Sequence, residues 1–153
     1  MSTSPKQQLR FARSHDGVRL AYASSGSGAP LIKAATWLSH LEHDWESPIW
    51  SHLLRELSGR YRFVRYDERG CGLSDWAVED LSFESWVRDL ETVADALDVE
   101  RFALLGISQG ASIAIAYAVR HPQRVTHLVL HGGYARGRLV RSNTPQEREE
   151  VET

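Results

Sequence analysis

Hydrophobic residues along the chain gather in short runs that alternate with longer stretches of helical spacing. The runs 11–14 and 18–23 read as two strands. Between them His15-Asp16-Gly17 supplies turn chemistry, because Asp-Gly tolerates the left-handed conformations a tight hairpin needs. Gly26-Ser27-Gly28-Ala29-Pro30 interrupts the pattern, and the mostly apolar run 31–35 after it has the length of a buried strand. Positions 45–60 carry Ile49, Leu53, Leu54 and Leu57 at helical spacing and stop at Ser58-Gly59, which predicts one helix. The run 63–66 returns to strand. The clearest helix is 82–97, where Phe83, Trp86, Val87, Leu90, Val93, Ala94 and Leu97 share one face. An apolar strand at 102–106, an Ala-rich helix at 112–120 stopped by His121-Pro122, and a further buried strand at 125–130 complete the series.

Strands alternating with helices predict an α/β fold: a mostly parallel, doubly wound sheet with right-handed crossovers, preceded by an N-terminal β-hairpin. The expected organisation is a disordered leader over 1–9, one domain over 10–135 and a polar tail over 136–153. In the tail, Thr144-Pro145-Gln146-Glu147 is a capping box with proline at the first helical position, the mark of a helix beginning. Six residues follow it, mostly Glu and Arg, too few to form a stable helix alone, so the tail reads as the start of a truncated element.

Composition narrows the function classes. With 153 residues and 42% hydrophobic content the chain can bury one core. Its 18 basic and 20 acidic residues leave a formal charge of -2, so bulk charge gives no pull toward nucleic acid, anionic membrane or a strongly charged substrate. The single cysteine, Cys71, excludes an internal disulfide framework and a four-cysteine zinc site. No apolar leader or membrane-length run is present, and the expectation is a soluble, cytoplasmic protein without a cofactor.

The chemistry concentrates at Gly106-Ile107-Ser108-Gln109-Gly110, a G-x-S-x-G pattern set between the strand 102–106 and the helix that begins near Gly110. A sharp strand-to-helix turn of this kind lifts the serine oxygen above the sheet, and the flanking glycines let strand and helix approach. Ser108 is therefore the candidate nucleophile. The N–H of Gln109, at the helix N-terminus, is the candidate oxyanion donor, aided by the helix dipole. The bland alternative is a serine that merely caps a helix.

A second motif, Asp67-Glu68-Arg69-Gly70-Cys71-Gly72-Leu73-Ser74, resembles the D-x-R-G-x-G-x-S loop after the fourth strand of α/β-hydrolases. With the elbow, it makes the chain resemble an α/β-hydrolase over residues 11–130. Two stretches, 33–42 and 66–72, are further similar to bacterial hydrolase-like modules found beside nucleotide-cyclase or helix-turn-helix regulatory domains. The resemblance implies that the loop after the third strand supplies the second oxyanion donor. Ala35-Thr36 stand where His-Gly is usual, which makes the Trp37 N–H that donor. It also implies an acid and then a histidine after Ser108, each from a loop behind a late strand. His121, His127 and His131 do not fit those places, no aspartate follows Ser108, and the later glutamates sit in the tail. The sheet is accordingly expected to be incomplete on its C-terminal side, with an open edge prone to self-association or to partnering.

Other clusters read more simply. His40, His43, Asp44 and His52 could approach a metal but flank a loop opening into an exposed helix, and no metal site is assigned. Gly70-Cys71-Gly72 lacks the third glycine of a dinucleotide loop, where Asp75 stands. Cys71 reads as a half-buried loop residue rather than a nucleophile. Trp37, Trp45 and Trp50 either line an apolar pocket above Ser108 or pack the core, and Trp37 is the one expected to face the site. Three readings stand: the N-terminal part of a serine hydrolase acting on an ester or related acyl bond through a Ser108 acyl-enzyme, inactive as this piece; a module that senses a small molecule for an attached regulatory domain; or a truncated, inactive fragment.

Overall fold

The computed structural model describes residues 6–137, 140 and 144–146; the start of the expected leader and Glu147 of the capping box lie outside the described residues. Six strands form one sheet: β1 (Gln8–Arg13), β2 (Arg19–Ser25), β3 (Pro30–Lys33), β4 (Arg62–Tyr66), β5 (Phe102–Ile107) and β6 (Val125–His131). The helices are α1 (Leu41–Glu46), α2 (Ser51–Arg60), α3 (Phe83–Ala96) and α4 (Gln109–Arg120). Strand order is β1-β2-β4-β3-β5-β6. β1 pairs antiparallel with β2, and β2 antiparallel with β4, while β4, β3, β5 and β6 run parallel. The hairpin forms as its turn chemistry predicts: Gly17 takes φ +87°, and Ser14 N–H bonds the Val18 carbonyl at 2.9 Å.

The inner strands are buried on both faces, and successive residues divide the core. Ile32, Val64 and Leu104 join Leu20 and Tyr22 on one face, against Val87, Leu90, Val93 and Ala94 of α3 and Ile113, Ala114 and Tyr117 of α4. Their neighbours Leu31, Phe63 and Leu105 face the other way and meet Leu54 of α2, with Trp45 and Leu57 beside it. This two-sided burial explains why β3, β4 and β5 read as apolar runs instead of alternating ones. Among the described residues no helix is long and apolar enough to cross a membrane.

Three expectations need correction. The helix expected over 45–60 is two helices, α1 and α2, and α1 begins earlier, at Leu41. The break falls at Ser47-Pro48, because proline's ring disfavours helical backbone in the residue before it, and Ser47 is extended at φ −62°, ψ 133°. Ile49 is then left outside both helices and 70% exposed. On α3, Phe83 is 45% exposed, and the buried stripe instead includes Ser85 and Asp89. The strand expected to be buried at 125–130 is largely exposed, with Val129 at 51%. Among the described residues it pairs only with β5, so its outer edge is left open there and neither face is fully covered. The helix α4 starts at Gln109, close to the start near Gly110 that the elbow implies and three residues before the Ala-rich stretch at 112–120, for a reason that lies in Ser108 itself.

Candidate active site

The parallel strands β3, β4 and β5 end on the same edge of the sheet, so the loops that follow them meet there, the usual place for a crevice in an open α/β sheet. Residue 108 follows β5 directly. Ser108 adopts φ 53°, ψ −121°, a conformation non-glycine residues rarely take; it costs about 1–3 kcal/mol and persists only where the surroundings over-determine it. That reversal ends β5 and lets α4 begin at once. Ser108 is held by its own N–H to the His131 carbonyl at 2.9 Å and by its carbonyl to the Ala111 N–H at 3.0 Å. Its side chain is exposed at the carboxyl edge.

The two glycines of the pattern permit this geometry. A Cβ on Gly106 would lie 2.6 Å from Ala111 Cα, and one on Gly110 would lie 2.8 Å from the Ala35 carbonyl oxygen and 3.1 Å from that of Ala34. The second contact places the loop after β3 directly against the first turn of α4. Lys33 braces that loop, donating to Ala34 O and Thr36 Oγ1, each at 3.4 Å, and burial pulls its ammonium group down to about 8. Trp37 lies in the same loop and is 69% exposed, followed by Leu38 at φ 59°.

The loop after β4 ties these parts together. Asp67 is fully buried and accepts from Ser39 Oγ at 2.8 Å, Leu41 N–H at 3.2 Å and Leu73 N–H at 2.8 Å, joining the β3 loop to the β4 loop. Arg69, 1% exposed, forms a fork with Asp89 of α3, Nε and Nη2 each 2.7 Å from a carboxylate oxygen. Its Nη1 reaches Asp16 in the hairpin turn at 2.7 Å and the Asp80 carbonyl at 2.9 Å. The guanidinium holds the Asp16 carboxyl well below the usual carboxylate range. Between them Glu68, 4% exposed, accepts from Gln109 Nε2 at 3.1 Å; burial pushes its carboxyl up to about 7. Cys71 is half-buried, and burial pushes its thiol up, away from the reactive thiolate.

The structure therefore brings Ser108 and Gln109 together with the loop that carries Trp37. As the first residue of α4, Gln109 has an N–H with no intrahelical acceptor, as an oxyanion donor requires. A cavity of about 310 Å³ opens beside the elbow, lined by Phe83, Trp86, Gln109, Ser112, Tyr134 and Arg136 among others. None of Trp37, Trp45 and Trp50 lines it; Trp45 packs with Leu54 and Phe63 under the sheet. His40 is occupied as the N-cap of α1, its Nδ1 accepting from the Glu42 and His43 N–H groups at 3.3 Å each. Among the described residues no histidine ring hydrogen-bonds to Ser108. The carboxylate–imidazole pair Glu91–His121, at 2.8 Å, sits at the far end of α4, about 18 Å along a twelve-residue helix.

Sequence reasoning missed Glu68 and Asp89 as parts of this region. Asp89 was findable: it falls on the buried stripe of α3 next to Leu90, and a buried carboxylate demands a cation. Glu68 had no such signal, since its partner lies 41 positions away.

Comparison with known proteins bears on the fold. Residues 39–152 match the family described as alpha/beta hydrolase fold. The chain is 34% identical over 134 residues to epoxide hydrolase 3 of Xenopus tropicalis, covering 85% of this chain and 35% of that protein. It is 32% identical to 2-hydroxymuconate semialdehyde hydrolase of a Pseudomonas species over 76% of this chain and 40% of that protein. A hydrolase from Pseudomonas aeruginosa superposes with a TM-score of 0.74 at 26% identity, covering 95% of this chain and 57% of that one. The chain thus spans less than half the length of these curated relatives.

Proposed function

The chain belongs to the alpha/beta hydrolase fold family, and on that premise we propose that it is the nucleophile-bearing part of a serine hydrolase acting on an ester or related acyl bond. The observation that carries the reading is the strained Ser108 turn, which exposes the side chain beside the unbonded N–H at the start of α4. In the proposed reaction Ser108 Oγ attacks the acyl carbon and gives up its proton to a base, and the leaving alcohol or amine takes a proton as its bond to carbon breaks. Water then releases the acid from the acyl-serine. The Gln109 N–H and the Trp37 N–H receive the oxyanion in both steps. The neutral hydroxyl is a weak nucleophile without a base, and no described histidine meets it, so the acid and histidine are assigned to sequence outside residues 1–153. The 153-residue chain alone is expected to show no turnover.

Trapping tests this. The full-length protein is incubated with a p-nitrophenyl ester or a fluorophosphonate and digested, and the peptide containing Ser108 is weighed. An adduct that disappears in Ser108→Ala, together with loss of turnover, supports the acyl-enzyme. No adduct, with Ser108→Ala merely weakening ligand binding, would replace it with the sensing reading, in which the domain reports a small molecule to an attached regulatory domain.

A further inference from the structure

We propose that Glu68 is a positioning residue for the oxyanion donor: its buried carboxylate grips the Gln109 side chain from the β4 loop, fixes the first residue of α4, and loosens that grip on taking up a proton. The inference rests on the reading of the Gln109 N–H as an oxyanion donor.

A strained turn must be held, and three bonds hold this one. Two are backbone bonds indifferent to pH, Ser108 N–H to the His131 carbonyl and Ala111 N–H to the Ser108 carbonyl. The third, Gln109 Nε2 to Glu68 Oε2 at 3.1 Å, runs between side chains and is the one that can titrate. It acts on the residue whose N–H would meet the oxyanion, and it comes from a loop already anchored by Asp67 and Arg69. Among the described residues the hydrogen bond of the Glu68 side chain goes to Gln109, not to Ser108.

The carboxylate is poorly compensated for so buried a group. Asp67 accepts three bonds from its surroundings and Asp89 a guanidinium fork, whereas the Glu68 side chain accepts one bond from a neutral amide. Its charged and titratable neighbours pull in both directions. Asp89 of α3 disfavours its ionisation and Arg69 in its own loop favours it. Cys71 in that loop and Tyr66 at the end of β4 are each disfavoured from ionising by it. From α4 only the neutral Gln109 amide meets it among these groups. Burial outweighs the favourable contacts, and the carboxyl is pushed up to about 7. An ionised carboxylate is the stronger acceptor, so proton uptake near neutrality weakens the bond to Gln109.

The test is amide NMR of the full-length protein from pH 5.5 to 8.5, following the Gln109 side-chain NH2 and backbone N–H. Both are expected to shift with one midpoint near 7. The shift should vanish in Glu68→Gln, which keeps the size and an acceptor oxygen but cannot titrate. A carboxyl 13C titration of Glu68 in Gln109→Ala adds a second measurement, with the Glu68 midpoint expected to rise because a stabilising donor is gone. Gln109 signals that stay flat, or that titrate unchanged in Glu68→Gln, would overturn the proposal. Ser108→Ala should titrate like the parent. A missing acyl adduct with an intact Gln109 titration therefore counts against the serine-hydrolase reading and removes the oxyanion role of the Gln109 N–H while leaving the Glu68–Gln109 grip, whereas an adduct with flat Gln109 signals counts only against this proposal.

Discussion

Replacing Asp89 by Asn removes one charge from a site where almost nothing is exposed. Arg69 has no exposed side-chain surface and Asp89 only 1%, so water cannot take over the lost interaction. The amide keeps one acceptor oxygen but turns an N–H group toward the guanidinium, and one 2.7 Å bond of the fork becomes a donor–donor contact. Breaking a buried ion pair from one side costs about 3–5 kcal/mol. Here Asp16, bonded to Arg69 at 2.7 Å, keeps the cation partly compensated, which places the expected loss near the lower bound, about 3 kcal/mol. For a chain of this size that corresponds to a fall in Tm of roughly 6–12 °C. Urea unfolding of the parent, Asp89→Asn, Arg69→Met and the double variant measures it as a cycle. Asp89→Asn should cost far less in the Arg69→Met background, where no buried cation is stranded. The exposed pair Glu56–Arg60 is the control, and Glu56→Gln is expected to cost less than about 0.5 kcal/mol. A loss under about 1 kcal/mol for Asp89→Asn, or an equal loss in both backgrounds, would refute the view that the fork joins the β4 loop to α3.

Two further outcomes follow from the elbow. Ser108→Gly should stabilise the fold by about 1 kcal/mol relative to Ser108→Ala, because glycine takes φ 53° without the steric cost, while both variants lose any acyl adduct; thermal melts that rank the alanine variant above the glycine one would contradict this. Gly110→Ala should cost about 1–3 kcal/mol, since its Cβ would meet the Ala35 carbonyl oxygen at 2.8 Å and something in the backbone must move. It should also slow acylation of Ser108, as the β3 loop is pushed off α4. Gly137→Ala, with nothing within 4 Å, serves as the neutral comparison in the same urea titrations.

Much of this architecture is local, and to that extent it is written along the chain. The hairpin follows from Asp16-Gly17 between two short apolar runs, α3 from a 3.6-residue stripe opened by Ser82, and the elbow from a glycine-flanked serine between strand and helix. The break between α1 and α2 was also legible, at Pro48, but the helical spacing of Leu53, Leu54 and Leu57 masked it. Each of these is decided by backbone sterics or periodicity within a few residues, which the local order of residues encodes.

What required the folded chain is every property set by distant neighbours. Val129 sits in an apolar run that reads as buried, yet it is exposed because among the described residues β6 has β5 on one side and no strand on the other. Phe83 matches the apolar stripe of α3 and still faces outward, while Asp89 is taken inward by a guanidinium from residue 69. The strand order sets the β3 loop beside Gly110 and Glu68 under Gln109. Periodicity tells which face of an element is apolar; burial, charge compensation and the position of a proton depend on what packs against that face, and only the tertiary contacts determine that.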